Sequence, residues 1–145
     1  MSRFIFGGAV GTTVMTLMMY FLRPIIVGAP MDIASEIGSK MGDNWWLGMG
    51  VHVMIGTVVI PLLLAFVLSK FLPGPLVVKG LLTGVLFWLL TMLVLMPMMG
   101  KGLFLSETGE GPKAIVAAFM AHAVYGLLLG FIAGLRPSHT NTEAD

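Results

Sequence analysis

The chain predicts an all-α integral membrane protein: a four-transmembrane-helix bundle built as two similar helix hairpins, with a short interfacial amphipathic helix after the first span. Three observations predict it. Of 145 residues, 57% are hydrophobic and 10% charged, whereas an ordinary soluble domain carries about a quarter charged residues. A core of this size cannot hide so much apolar surface, so the bilayer must solvate it. Four stretches reach the roughly 20 residues a helix needs to cross about 30 Å of hydrocarbon. Finally, glycine, proline and histidine spacings of the first half recur in the second.

The first span runs from Phe4 to Ile26. A cleavable signal peptide begins in the same way, but Gly7 to Leu22 continues to Arg23-Pro24 without a small-x-small cleavage site, so the segment reads as a retained helix. Between Met31 and Asn44, the apolar Met31, Ile33, Ala34, Ile37 and Met41 fall near helical spacing, with Asp32, Glu36 and Lys40 opposite. That pattern predicts an amphipathic helix lying in the interface. The second span, Trp45 to Leu68, opens on Trp45 and Trp46, which suit the headgroup level. Pro73-Gly74-Pro75 makes a tight turn before the third span, Leu76 to Met99. A glycine-rich acidic loop, Gly100 to Lys113, leads into the fourth, Ala114 to Leu135. Residues 1–136 thus form a single transmembrane domain, and residues 137–145 read as a polar disordered tail.

Lysine and arginine set orientation. Arg3, Lys70, Lys79 and Arg136 fall on one side, and Arg23, Lys40, Lys101 and Lys113 on the other. The tie is broken by the tight basic turn around Pro73, which favours its side as cytoplasmic and both termini inside a bacterial inner membrane. The internal repeat agrees with an even number of crossings. Gly7, Gly11 and Pro24 match Gly80, Gly84 and Pro97, while Gly48, His52 and Gly56 match Ala118, His122 and Gly126. Two hairpins of the same topology imply a pseudo-twofold axis along the membrane normal.

The matched histidines are the candidate site. Positions i and i±4 share a helix face, so His52 stands between Gly48 and Gly56, and His122 between Ala118 and Gly126, on strips with little side chain. At 1.5 Å per residue, both imidazoles lie about 10–12 Å inside their helix starts. Diagonal placement would turn them toward each other. Such an arrangement can hold one haem b, each histidine giving a neutral nitrogen to the iron and Gly48, Gly56, Ala118 and Gly126 leaving room for the macrocycle. Arg23 would either snorkel to outer headgroups or meet a propionate or an anionic lipid. The arrangement resembles the haem-bearing four-helix bundles of membrane b-type cytochromes, an architectural likeness that rests on these residues.

Other uses of the same residues stay open. Small-x-x-x-small strips are a normal means of packing membrane helices, and the last strip continues through Gly130 and Gly134. Methionine thioethers with imidazole suit Cu(I), and there are 13 methionines. Yet Met54 and Met120 stand two positions from their histidines, so neither pair converges, and methionine is an ordinary filler of apolar gaps. Tyr125 can hydrogen-bond across the bundle, and the membrane threonines can bond back to their own helices.

The absences narrow the class. With no cysteine, disulfides, thiolate metal sites and cysteine nucleophiles are excluded. No Asp or Glu lies inside a span, which argues against a proton relay or a cation-coupled transporter. No catalytic triad, carboxylate pair or P-loop is present, and a net charge of +1 points to no nucleic acid. The expected role is therefore a small non-catalytic subunit of a bacterial electron-transfer complex. It would carry one bis-histidine haem b and partner a larger integral membrane complex, lipids and a quinol. A cofactor-free accessory or assembly subunit and a small copper or solute permease are the alternatives.

Overall fold

The computed structural model describes residues 1–135; the tail assigned from Pro137 onward lies outside them. Among these residues, four helices are long and apolar enough to cross a bilayer: α1 (Ser2–Val27), α3 (Trp45–Phe71), α4 (Leu76–Met98) and α5 (Pro112–Gly134). The short helix α2 (Ile33–Gly38) follows the first span. The expected four-helix membrane architecture is what the chain forms, with boundaries shifted by at most three residues.

Local chemistry explains where the helices begin. The Asn44 side chain accepts from Leu47 N at 3.1 Å and opens α3. Asp32 does the same for α2 through Ser35 N at 3.1 Å, each side chain satisfying one orphan N–H of a first turn. Pro112 starts α5, where its missing N–H costs nothing. Inside the spans, Pro24, Pro61 and Pro97 each follow a wide π turn, at Met18–Leu22, Ile55–Val59 and Thr91–Leu95. A proline ring clashes with the carbonyl four residues back, and widening the preceding turn relieves that clash without ending the helix. A fourth π turn, Leu64–Leu68, has no proline behind it.

Packing centres on α5. It lies along both α1 and α4, while α3 packs on α1 and meets α4 mainly near their shared turn. The α4–α5 seam is a backbone-to-backbone approach: a Cβ added at Gly126 would strike the carbonyl of Gly80, and one at Gly84 the carbonyl of His122. Leu129, Ala133, Tyr125 and Ala121 of α5 are buried beside that seam. Outward positions such as Phe21, Ile25, Phe66 and Phe131 are exposed apolar side chains, as a lipid-facing surface requires.

The pseudo-twofold read from the repeat is only partly realised. Gly7 and Gly11 of α1 and Gly80 and Gly84 of α4 all approach the same helix, α5. A strict twofold would instead have sent the second pair to the partner of α4 in the other hairpin, α3. The glycines of α5 (Gly126, Gly130) accept α4 at backbone distance, whereas α3 offers α4 no equivalent strip. One seam is therefore tight and the opposite one loose, and a cavity opens between the loose pair.

Helix α2, the short helix expected after the first span, packs on the first turns of α3. Gly48 is the contact, since a Cβ there would strike the backbone of Ala34 and Gly38. Met31, Ile33 and Ala34 are buried beneath α2, so its apolar face covers protein rather than lipid.

Candidate functional site

His52 and His122 do meet at one place. Both line a single central cavity of about 110 Å³, together with Thr12, Thr91, Ala118 and Tyr125. Helix α2 covers its mouth through Met31, Ile33 and Ile37. The π turns before Pro24, Pro61 and Pro97 supply Met19, Gly56 and Met92 to the wall, so the proline kinks help to shape it.

The two histidines are held in different protonation patterns. Thr16 Oγ1 donates its only proton to the Thr12 carbonyl at 2.7 Å, so its lone pair faces His52 Nε2 at 3.0 Å and that nitrogen carries the hydrogen. His122 is the reverse. Its Nδ1 lies 2.8 Å from the carbonyl of Ala118, which can only accept, so Nδ1 carries the proton. Thr91 Oγ1 donates to the Phe87 carbonyl at 2.8 Å and stands 3.5 Å from His122 Nε2. With Nδ1 protonated, the neutral ring leaves His122 Nε2, on a side chain 8% exposed, a proton-free nitrogen whose one hydrogen-bond contact among the described residues is this long one to Thr91.

The small residues flanking the histidines are not vacant. Gly48 is covered by α2, Gly56 faces the Thr12 side chain, and Gly126 faces Gly80 and Gly84. Only Ala118 borders the cavity as an open small residue, beside Gly56 on the opposite wall. The strips of α3 and α5 are used for close helix approach, which is what membrane packing alone predicts for them. A haem seat between His52 and His122 does not fit this arrangement. Pockets for drug-sized ligands span about 300–1,000 Å³, several times the space present.

Arg23 is placed where the sequence reading did not expect it. It neither snorkels nor stands free at the surface: it is 4% exposed, with Nη2 2.7 Å from Glu110 and Nη1 2.6 Å from the Ala29 carbonyl. A buried guanidinium needs a carboxylate and hydrogen-bond acceptors; Glu110 of the acidic loop supplies the first and the Ala29 carbonyl one of the second. Trp46 is exposed, as an interfacial anchor should be, but Trp45 turns inward and donates to Asp32 at 3.1 Å. Asp32 also receives the Tyr20 hydroxyl and Ser35 Oγ. Burial raises its pKa, but the bonds from Tyr20, Ser35 and Trp45 outweigh that and hold the carboxyl at about 2. Tyr125 makes the expected bond across the bundle, to the Gly56 carbonyl at 2.6 Å.

Of the methionines the sequence places in the outer half, Met15, Met19 and Met96 reach the cavity, while Met31 and Met92 were missed. Met15 and Met19 of α1, Met92 and Met96 of α4, and Met31 before α2 all line the cavity and are at most 9% exposed. The histidine-adjacent Met54 and Met120 point away, at 53% and 39% exposed. A signal was available: Met15/Met19 and Met92/Met96 are i, i+4 pairs, which share one helix face.

Residues 2–144 match the model of a family of unknown function, DUF6789. No curated protein and no solved structure matches the chain.

Proposed function

The chain belongs to this family of unknown function, and we propose that it is a non-catalytic membrane subunit that holds a small ligand in the cavity between His52 and His122. One observation supports the reading above others: two histidines from diagonal helices line one cavity, and the more buried has a proton-free ring nitrogen. An ionisable side chain inside the bilayer is expensive and marks a functional site by default. With little mass outside the bilayer, the subunit acts with a larger integral membrane complex. The basic turn around Pro73 favours both termini on the cytoplasmic side of a bacterial inner membrane.

A second reading is the electron-transfer subunit with one bis-histidine haem b, favoured by the convergence of both imidazoles. It requires α3 to swing away from the bundle and to release Gly48 from α2 and Gly56 from Thr12.

Native mass spectrometry of the protein released in mild detergent tests the proposal, beside a reduced-minus-oxidised visible spectrum. A bound non-lipid mass that disappears in His122→Leu is the expected result. Sharp b-type bands lost in both His52→Ala and His122→Ala would replace it with the haem reading. A bare chain with no bands, unchanged by His122→Leu, would leave the histidines as packing residues and sink both.

A further inference from the structure

The cavity wall names a ligand class. We infer that the site between His52 and His122 binds a single soft monovalent cation, Cu(I), through buried methionine thioethers and His122 Nε2. This rests on the ligand-holding reading above and specifies its ligand.

The donor set is the first argument. Five methionines line the cavity, four of them as the i, i+4 pairs Met15/Met19 and Met92/Met96 on α1 and α4. Thioether sulfur is a soft donor that selects Cu(I) over the common hard cations. Methionine also serves as a filler of irregular apolar gaps. A filler, however, closes the space it occupies, and these five instead border about 110 Å³ of open volume. That volume lies below the roughly 300–1,000 Å³ of pockets that hold drug-sized ligands.

The second argument is the preparation of His122. A metal-bound histidine characteristically donates its other ring N–H to a carbonyl, which fixes the tautomer and raises the basicity of the ligating nitrogen. His122 does this already, through Nδ1 to Ala118 at 2.8 Å. Its Nε2 needs to lose no proton to bind a cation.

Charge is the third. No carboxylate lines the cavity, so an ion there would be neutralised by no protein group. The cost of an uncompensated buried charge rises steeply with its magnitude, which disfavours Zn²⁺, Ca²⁺ or Mg²⁺ and leaves a monovalent ion on neutral donors.

The test is titration of the detergent-purified full chain with Cu(I) supplied as its bicinchoninate complex, followed by X-ray absorption at the copper edge. The expected result is one Cu(I) per chain, a mixed sulfur and nitrogen shell, and loss of binding in Met92→Leu/Met96→Leu, while Met54→Leu/Met98→Leu binds normally. Leucine conserves methionine's volume, and helicity with monodispersity checks that each variant folds. If the cavity variant does not fold, the wild-type shell decides: one without sulfur overturns the assignment. Absence of binding to folded wild-type protein, or binding lost equally in the exposed-methionine variant, overturns it as well. Native mass spectrometry separates the two claims. Another His122-dependent bound mass with no Cu(I) binding would end the copper assignment alone, and no bound mass of any kind would end both.

Discussion

Tyr125 donates its hydroxyl to the Gly56 carbonyl at 2.6 Å, across the bundle from α5 to α3. The bond joins the helix strip that carries His122 to the one that carries His52, and it closes the cavity on the side away from α2. Removing the hydroxyl in Tyr125→Phe keeps the ring in place and leaves a carbonyl short of one partner. Interhelical bonds in membranes average about 0.6 kcal/mol and reach about 1.7 kcal/mol, so a loss in that range is expected in a denaturing-detergent titration. An unchanged midpoint would show that the bond forms without holding α3 to α5.

The α4–α5 seam leaves no room for added volume. A Cβ at Gly126 would meet the Gly80 backbone, whereas one at Gly50 on α3 meets nothing within 4 Å. Gly126→Ala should destabilise by about 1–3 kcal/mol, the usual cost of overpacking. Gly50→Ala should be neutral or slightly stabilising, since alanine is the better helix former. Thermal unfolding of the two variants side by side checks this, and equal effects would contradict the seam as described.

The two ion pairs at the α2 end should differ in weight. Lys101–Glu36 leaves both partners about a quarter exposed, at 25% and 29%, and such pairs contribute about 0–1 kcal/mol. Arg23–Glu110 encloses a guanidinium only 4% exposed. Glu110→Gln should therefore cost more than Glu36→Gln. It should stay below the about 3–5 kcal/mol of breaking a fully buried pair, because Glu110 is 26% exposed. The double replacement Arg23→Met/Glu110→Leu should recover part of the loss. A double-mutant cycle with no coupling between positions 23 and 110 would refute the pair's importance.

Helix α2 carries a pH-sensitive fastening. The carboxyl of Asp32 has a folded pKa of about 2 against an ordinary 3.8. A carboxylate lowered on folding contributes stability that is present above its unfolded value and lost as pH falls through the folded one. Attachment of α2 should thus be full above about pH 4 and weaken toward pH 2, followed by Trp45 fluorescence, because its indole N–H donates to Asp32. Asp32→Asn should remove that acid transition. A transition that survives in the variant would assign it to another group.

Membrane class, four crossings and their approximate ends were legible in the sequence because they depend on local quantities. Hydropathy over some 20 residues decides whether a segment enters the bilayer, and Asn44 or Pro112 marks a helix start through its own backbone chemistry. The threonine back-bonds were legible for the same reason: Thr12, Thr16, Thr83 and Thr91 each reach only the carbonyl four residues earlier. The matched spacing of His52 and His122 was legible too, and both line one cavity.

What the sequence alone determined, then, is which residues lie in the membrane and which share a helix face. Which faces meet was decided by tertiary structure. Glycines spaced alike on α1 and α4 both turn to α5, because only α5 offers each of them a backbone at contact distance. The resulting loose α3–α4 seam leaves the cavity, and its methionines converge from α1, α4 and the start of α2, elements separated in the chain. Arg23 is buried because Glu110, far along the sequence, reaches it. Such outcomes depend on approach distances of a few ångströms between helices, and a periodicity read along one chain carries no information about them.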